Sequence, residues 1–322
     1  MGNDKKGKAK KTPMLLYQIG AAWRTLILPR FIRSIQRRLC LRGWEQRPDA
    51  DEIRRRVDYY FPLRPQFAPG PAARPIGRIR LRDSHSAYWY DLMRYLRACP
   101  PEGKIEFIDG DTRVNPETVV FGKARRLDSR AGNVALMNLD RRRHFLQVED
   151  PIPFGEKIPK LFFRGDVDDK ENRRQFLTRW WGHPLFDIGD TSPRNNSPWQ
   201  TPHADLTEHF RYRYILALEG YDVASALQWI CASNCIPVMP RPTAESWLMH
   251  GAMIPGVHYI EIAPDFSDVA EKLEYYNSHP DEAAKIAEAS KEWLRQFEDS
   301  GRENIIHYLI VDRYLALSDQ SR

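Results

Sequence analysis

Three clusters in this chain have the residue types and spacing to do chemistry on a charged ligand. The first is Phe163-Arg164-Gly165, an arginine beside a glycine at the end of an apolar run, followed by Arg173 and Arg174. A guanidinium offers a planar fork of donors that matches phosphate oxygens, and a glycine lets backbone approach the same group. The competing role for Arg164 is a structural ion pair, with Asp166, Asp168 and Asp169 close in sequence. The second cluster is Arg211-Tyr212-Arg213-Tyr214, which runs into Glu219-Gly220 and Ser225. If a helix starts there, its first N–H groups and the Ser225 hydroxyl can hold a diphosphate; otherwise Ser225 merely caps the helix. The third is Asp109-Gly110-Asp111. A carboxylate at such a place can act as general base toward an acceptor hydroxyl. The same spacing fits a metal site only if a nucleotide diphosphate completes the coordination shell.

Neither the Walker lysine motif nor GxGxxG occurs, so P-loop, ordinary kinase and dinucleotide-fingerprint readings lose support. The elements that must position the clusters follow from apolar patterning. Residues 214–218 read as a buried strand, 219–220 as its end, Ala224, Leu227, Ile230 and Cys231 as one helical face, and 236–239 as the next strand. In open α/β sheets, ligands sit at the carboxyl ends of strands. Upstream, 51–60 reads as a helix, the proline-rich stretch to 75 as extended, 76–81 as a strand, 86–99 as a helix, and 105–108 and 134–139 as strands. The alternation restarts at 151, with a strand at 161–163, a helix at 171–181, a strand at 185–188 and a polar, mobile loop at 190–201. Beyond come a helix at 244–250, a strand at 258–262, and helices at 266–278, 281–297 and 303–317. Two successive blocks of this kind predict an α/β chain with two Rossmann-like halves facing a cleft. The expected division is a leader 1–50, an acceptor domain 51–150, a donor domain 151–300 and a C-terminal helix 301–322.

Charge is unevenly distributed. Residues 1–42 carry eleven basic side chains against Asp4, a net +10, which leaves the rest of a +6 chain at −4. A nucleic-acid-binding face is therefore not expected, since such faces lie on the folded body. The uncharged run 12–23 is too short to span a bilayer, no small-residue cleavage site follows it, and Lys6 breaks the myristoylation motif. After Pro29, Phe31, Ile32, Ile35 and Leu39 share a helical face, with Arg30, Arg33, Arg37 and Arg38 largely elsewhere. This pattern predicts a helix lying on an anionic membrane surface, with residues 5–42 as the contact. Cys231 and Cys235 are four apart with no second ligand pair for zinc, which predicts buried thiols in a reducing compartment.

Taken together, the segments KLFFRGD (160–166), FRYRYILALEG (210–220), DVASALQWICASNCIPVM (222–239), PGVHYIEI (255–262) and FSDVAEKLEYYNSHPDEAAKIAEAS (266–290) resemble the family 90 glycosyltransferases. That group contains protein O-glucosyltransferases, fungal capsule xylosyltransferases and bacterial lipopolysaccharide core transferases, and LALEGYDVAS looks most like the bacterial branch. The resemblance implies a GT-B architecture, a UDP-sugar held mainly by the C-terminal half, and no required metal or other cofactor. It implies Asp111 rather than Asp109 as catalytic base, and Arg173 as the donor-phosphate arginine, with Asn172 and Arg174 one loop residue away. Gly220 and Ser225 match the family's donor-binding turn. Relatives often carry arginine where this chain has Leu227, so Arg213 or Arg164 is expected to meet diphosphate charge as well.

The expected activity is hexose transfer from a UDP-sugar to a sugar hydroxyl of a lipopolysaccharide core or similar lipid-linked glycan, at the cytoplasmic face of the inner membrane. Asp111 acts as base, while Arg164, Gly165, Arg173, Arg213, Glu219, Gly220, Ser225 and Glu245 hold the donor. The rivals are a non-catalytic sugar-nucleotide-binding protein at the membrane, a protein O-glycosyltransferase, and a metal-dependent phosphatase or kinase.

Overall fold

The computed structural model describes residues 8–10, 19–20, 28–139, 141, 147–194 and 197–318. These fall into two compact units. One, built mainly from residues 147–243 and 250–296, carries a five-stranded, wholly parallel sheet. Its strands are β1 (Ile158–Gly165), β2 (Phe186–Asp190), β3 (Tyr212–Leu216), β4 (Ile236–Met239) and β5 (Ile260–Glu261). Leu161, Phe162 and Phe163 are consecutive and all buried, as are Tyr214, Ile215 and Leu216. Such runs bury both faces of a strand, the mark of a parallel sheet covered on both sides. Leu161, Tyr214, Ile236 and Val238 join Phe176, Leu177, Ile286 and Ala287 in one core.

In space the strands run β5-β4-β3-β1-β2. The chain builds outward from β1 to β2, returns past β1 to β3, and then continues through β4 and β5. The reversal leaves a crevice at the carboxyl ends of β1 and β3, the place where doubly wound sheets bind ligands. One extra residue in β1, between the pairs Ile158↔Tyr212 and Leu161↔Tyr214, makes a bulge near the start of that strand. Helix Glu171–Trp180 follows β1, with Glu171 in its first turn and Arg179 in its last, as the helix dipole favours. Helix Pro280–Arg295 has proline at its first position, Asp281 and Glu282 behind it, and Ala283, Ile286, Ala287 and Leu294 on its buried face.

The other unit holds helices Arg30–Leu41, Ala50–Tyr60, Ser86–Leu96 and Ser300–Leu317 around short strand pairs. Val120–Gly122 runs parallel to Val134–Leu136, and Phe107 bridges to Phe121, also in parallel. A small parallel array results, with Asp109 to Asp111 beyond its carboxyl edge. Glu303 of the C-terminal helix forms a buried ion pair with Arg56 of Ala50–Tyr60.

Three elements differ from the sequence expectation. Residues 76–81 form two short turns, Ile76–Arg78 and Leu81–Asp83, rather than a strand; the buried Ile76 and Ile79 are three apart, which suits turns and not a period of two. The expected helix 244–250 is a strand, Ala244–Ser246, paired antiparallel with Ala124–Arg126, so cross-strand pairing overrides helix propensity there. The helix expected from 224 covers only Leu227–Cys231. The strand Ala244–Ser246 and the C-terminal helix both belong to the unit that lacks the five-stranded sheet.

Candidate functional site

The crevice between β1 and β3 is spanned by Arg173. Asp166 immediately follows β1, and Leu218 lies two residues past β3. Arg173, in the first turn of the helix after β1, donates from Nη1 to the Asp166 carbonyl at 2.9 Å and from Nη2 to the Leu218 carbonyl at 3.0 Å. The guanidinium sits over the Phe163 ring, 6.0 Å from its centroid. Its Nε is buried with no hydrogen-bond partner. Among the described residues no carboxylate forms an ion pair with it: the Asp166 carboxylate is taken by Lys170 Nζ at 2.7 Å, Ser192 Oγ and the Asp168 N–H. Burial lowers the Arg173 pKa, with the Asp166 charge only partly opposing it. A partly desolvated cation held by neutral carbonyls is short of negative charge, and a diphosphate supplies it.

Neighbouring residues fix the loop around this guanidinium. Asn172 Nδ2 donates to the Glu219 carbonyl at 3.0 Å, and the Glu219 carboxylate accepts from the Thr243 N–H and hydroxyl at 2.7 and 2.5 Å. Glu219 thus ties the loop after β3 to the loop after β4. A Cβ added to Gly220 would meet only Arg173 Nη2, at an ordinary 3.6 Å, so packing within the chain does not require glycine there. Arg174, the neighbour of Arg173, is exposed. Burial alone would raise the Asp166 pKa, but hydrogen bonds from Lys170, Asp168 and Ser192 outweigh it and hold the group below the usual range. The single Ser192 hydroxyl proton lies between the Asp166 carboxylate and that of the buried Asp190, bracing the ends of β1 and β2 against each other.

Other residues expected at the donor take different places. Arg164, one residue before the end of β1, bonds Asp187 of β2, with Nη2 2.6 Å from the carboxylate and Nη1 3.0 Å from the carbonyl. It is a structural ion pair, and its partner is none of the three nearby aspartates. Gly165 has a packing reason: a Cβ there would lie 2.5 Å from Phe163 Cζ. Arg213 is the second residue of β3 and stacks over Phe154 at 5.3 Å. Leu218 lies five residues further on, roughly 16 Å along an extended strand, so Arg213 is not brought to the crevice. Ser225 is exposed in the turn before Leu227–Cys231, and the capping position is Ala226. Leu227 is fully buried in the core.

In the other unit, Asp111 lies beyond the carboxyl edge of the small parallel array and is exposed. One of its oxygens accepts from Lys123 Nζ at 2.6 Å, and the Lys123 side chain is buried. Asp109 differs: it accepts from Ser84 Oγ, the His85 N–H and His85 Nδ1, and so braces the start of helix Ser86–Leu96. Of the two carboxylates, Asp111 is the more exposed, at 36% against 27%. Glu245 is enclosed more fully. It is 1% exposed, takes Arg125 Nε at 2.8 Å and Nη2 at 2.7 Å, and accepts from the Tyr59 hydroxyl. Both of its carboxylate oxygens are engaged in this network.

Sequence reasoning missed Lys123, Asp187 and Thr243. Lys123 is the one with a legible signal, a lysine directly after the apolar run 119–122, whereas the partners of Arg164 and Glu219 are set by strand order.

Comparison with known proteins adds an independent line. Residues 131–311 match the model of "Glycosyl transferase family 90". The chain is 35% identical to "O-glucosyltransferase LpsA" of Dichelobacter nodosus, over 82% of this chain and 83% of that protein. It is 26% identical to human "Protein O-glucosyltransferase 1" over 44% of this chain and 38% of that protein. It is also 29% identical to "Protein O-glucosyltransferase 2" of Danio rerio, over 29% of this chain and 18% of that one. The two animal proteins therefore share only a segment with it.

Proposed function

This chain belongs to glycosyl transferase family 90, and from that premise we propose that it moves a hexose from a UDP-sugar onto a sugar hydroxyl of a lipopolysaccharide core or similar lipid-linked glycan. The observation that carries the donor assignment is Arg173, a guanidinium without a carboxylate at the switch point of the parallel sheet. The acceptor assignment is supported by the extent of similarity to LpsA.

In the proposed reaction Asp111 takes the proton of the acceptor hydroxyl. The acceptor oxygen forms a bond to the anomeric carbon as the bond from that carbon to the diphosphate oxygen breaks. UDP departs with the bonding electrons, and Arg173 stabilises the charge that collects on it. Lys123 holds the Asp111 carboxylate in place. Charge neutralisation by arginine means that no resident metal is part of the proposal. A GT-B arrangement, with two units facing one cleft, is part of it, as is a place on the cytoplasmic face of the inner membrane. The four unpaired thiols suit a reducing compartment.

A thermal-shift panel of nucleotide sugars tests the reading, because a ligand that binds only the folded chain raises its melting temperature. UDP and one UDP-hexose are expected to stabilise the protein, whereas ADP and GDP analogues do not. No response to any uridine nucleotide would sink the proposal.

A further inference from the structure

The Arg30–Leu41 helix is packed the wrong way round for a helix that serves only its own fold. Amphipathic surface helices bury their apolar stripe and show their charges. Here Phe31, Ile35 and Leu39, each four residues after the last, are 65%, 44% and 61% exposed. The helix is held to its unit by its polar side. Ser34 Oγ lies 3.3 Å from the Ala98 carbonyl and Arg37 pairs with Asp312, while the buried Arg33 donates to the Leu28 carbonyl just before the helix at 2.6 Å. At about 100° per residue, Arg38, Phe31, Arg42, Ile35 and Leu39 fall within an arc of roughly 100°. Arg38 and Arg42 are exposed, and the helix sequence RFIRSIQRRLCL holds no acid.

We infer that this face is a docking surface for an anionic lipid bilayer, with the three apolar side chains entering the headgroup layer and Arg38 and Arg42 reaching lipid phosphates. Long arginine stems let the charge stay at the phosphate level while the backbone lies lower. Charge complementarity selects this occupant. A second copy of the chain would set Arg38 and Arg42 against their own counterparts, and three side chains fall far short of the ~1,200 Å² that a stable dimer interface buries. The basic excess of residues 1–42 over a net-negative remainder adds attraction of the same sign. The inference is independent of the donor assignment, which concerns the other unit.

Co-sedimentation of the full chain with vesicles tests it, using phosphatidylcholine alone and phosphatidylcholine mixed with phosphatidylglycerol. The wild type is expected to pellet with the anionic vesicles, and less so at high salt. The triple variant Phe31→Ser, Ile35→Ser, Leu39→Ser should lose at least about tenfold in partitioning, since three partly buried apolar side chains are removed. The pair Arg38→Gln, Arg42→Gln should lose roughly fivefold per arginine on anionic vesicles only. Both variants replace exposed side chains, so melting temperature and UDP affinity should match the wild type. Equal partitioning of wild type and triple variant would overturn the inference. So would a wild-type dimer in sedimentation velocity that the triple variant abolishes, because the row would then be an interface between copies.

Discussion

Replacing Arg173 by methionine removes a guanidinium that, among the described residues, pairs with no carboxylate and rests on two backbone carbonyls. The side chain keeps similar length and apolar contact with Phe163 but loses the guanidinium. A hydrogen bond between a charged donor and a phosphate is worth about 1.5–3 kcal/mol, so UDP affinity should fall roughly 10- to 150-fold. Fold stability should change far less, because two effects oppose each other. The Asp166 and Leu218 carbonyls lose their donor, at about 1–3 kcal/mol each; removal of a desolvated cation offsets that by a similar amount. Isothermal titration with UDP and with uridine separates the outcomes, since uridine has no phosphate to lose. Arg173→Met should weaken UDP strongly and uridine little. Arg173→Lys should fall between, because an ammonium keeps the charge but cannot span both carbonyls and a ligand. Melting reports the same quantity: at UDP near 100 times the wild-type Kd the wild type gains about 2.7 kcal/mol, and a variant bound 30-fold more weakly gains about 0.9 kcal/mol. A folded Arg173→Met protein that binds UDP like the wild type would refute the phosphate role. Equal losses for UDP and uridine would refute it as well, since a collapsed pocket would then be the cause.

Two further outcomes follow from the other unit. Asp111→Asn should lower kcat about 10²- to 10⁴-fold, the range for a lost general base, with UDP affinity unchanged; turnover and titration on the same preparation check it, and wild-type turnover would exclude Asp111 as base. His307 is buried, its Nδ1 lies on the Glu303 carbonyl, its Nε2 accepts from the Asn138 N–H at 2.9 Å, and burial pulls its pKa down to about 3. The unfolded chain, with an ordinary histidine near 6.5, binds that proton more readily. Stability from this group is therefore complete above about pH 6.5 and is lost as pH falls toward 3, at about 1.4 kcal/mol per pH unit. Denaturant melts across pH 4 to 7 should show His307→Gln with a slope shallower by that amount; an unchanged slope would show that His307 is not the group taking up the proton.

Much of the sheet unit was legible because parallel strands and amphipathic helices write their burial directly into the sequence. The strand Ile236–Met239 was expected at those residues, and helix Pro280–Arg295 within two residues at either end. Periodicity states which residues share a face, not what that face meets. Phe31, Ile35 and Leu39 would recur at the same spacing whether they met a core or a membrane, and only their exposure in the folded chain separates the two. Partners across strands are also hidden. Arg164 and Asp187 are 23 residues apart and meet because β1 and β2 are neighbours in space. Glu245 read as a polar residue after a strand, yet Arg125, 120 residues earlier, captures it through the pairing of Ala124–Arg126 with Ala244–Ser246.

Arg173 was expected as the main diphosphate contact, with Arg213 or Arg164 in support, and the fold separates the three by charge and by position. Arg164 is neutralised by Asp187, and Arg213 lies near the amino end of its strand over Phe154. Arg173 alone combines the carboxyl edge, two neutral acceptors and a pKa lowered by burial. The departure at Leu227 fits the same logic. That position, in the helix that follows β3, is core, and the cation comes from the helix after β1. Asn172 in the helix after β1 donates to the Glu219 carbonyl in the loop after β3, so these two segments meet at the same edge. On this account an arginine introduced at 227 would gain little, because Arg173 already holds the edge and the new charge would have to leave a fully buried site.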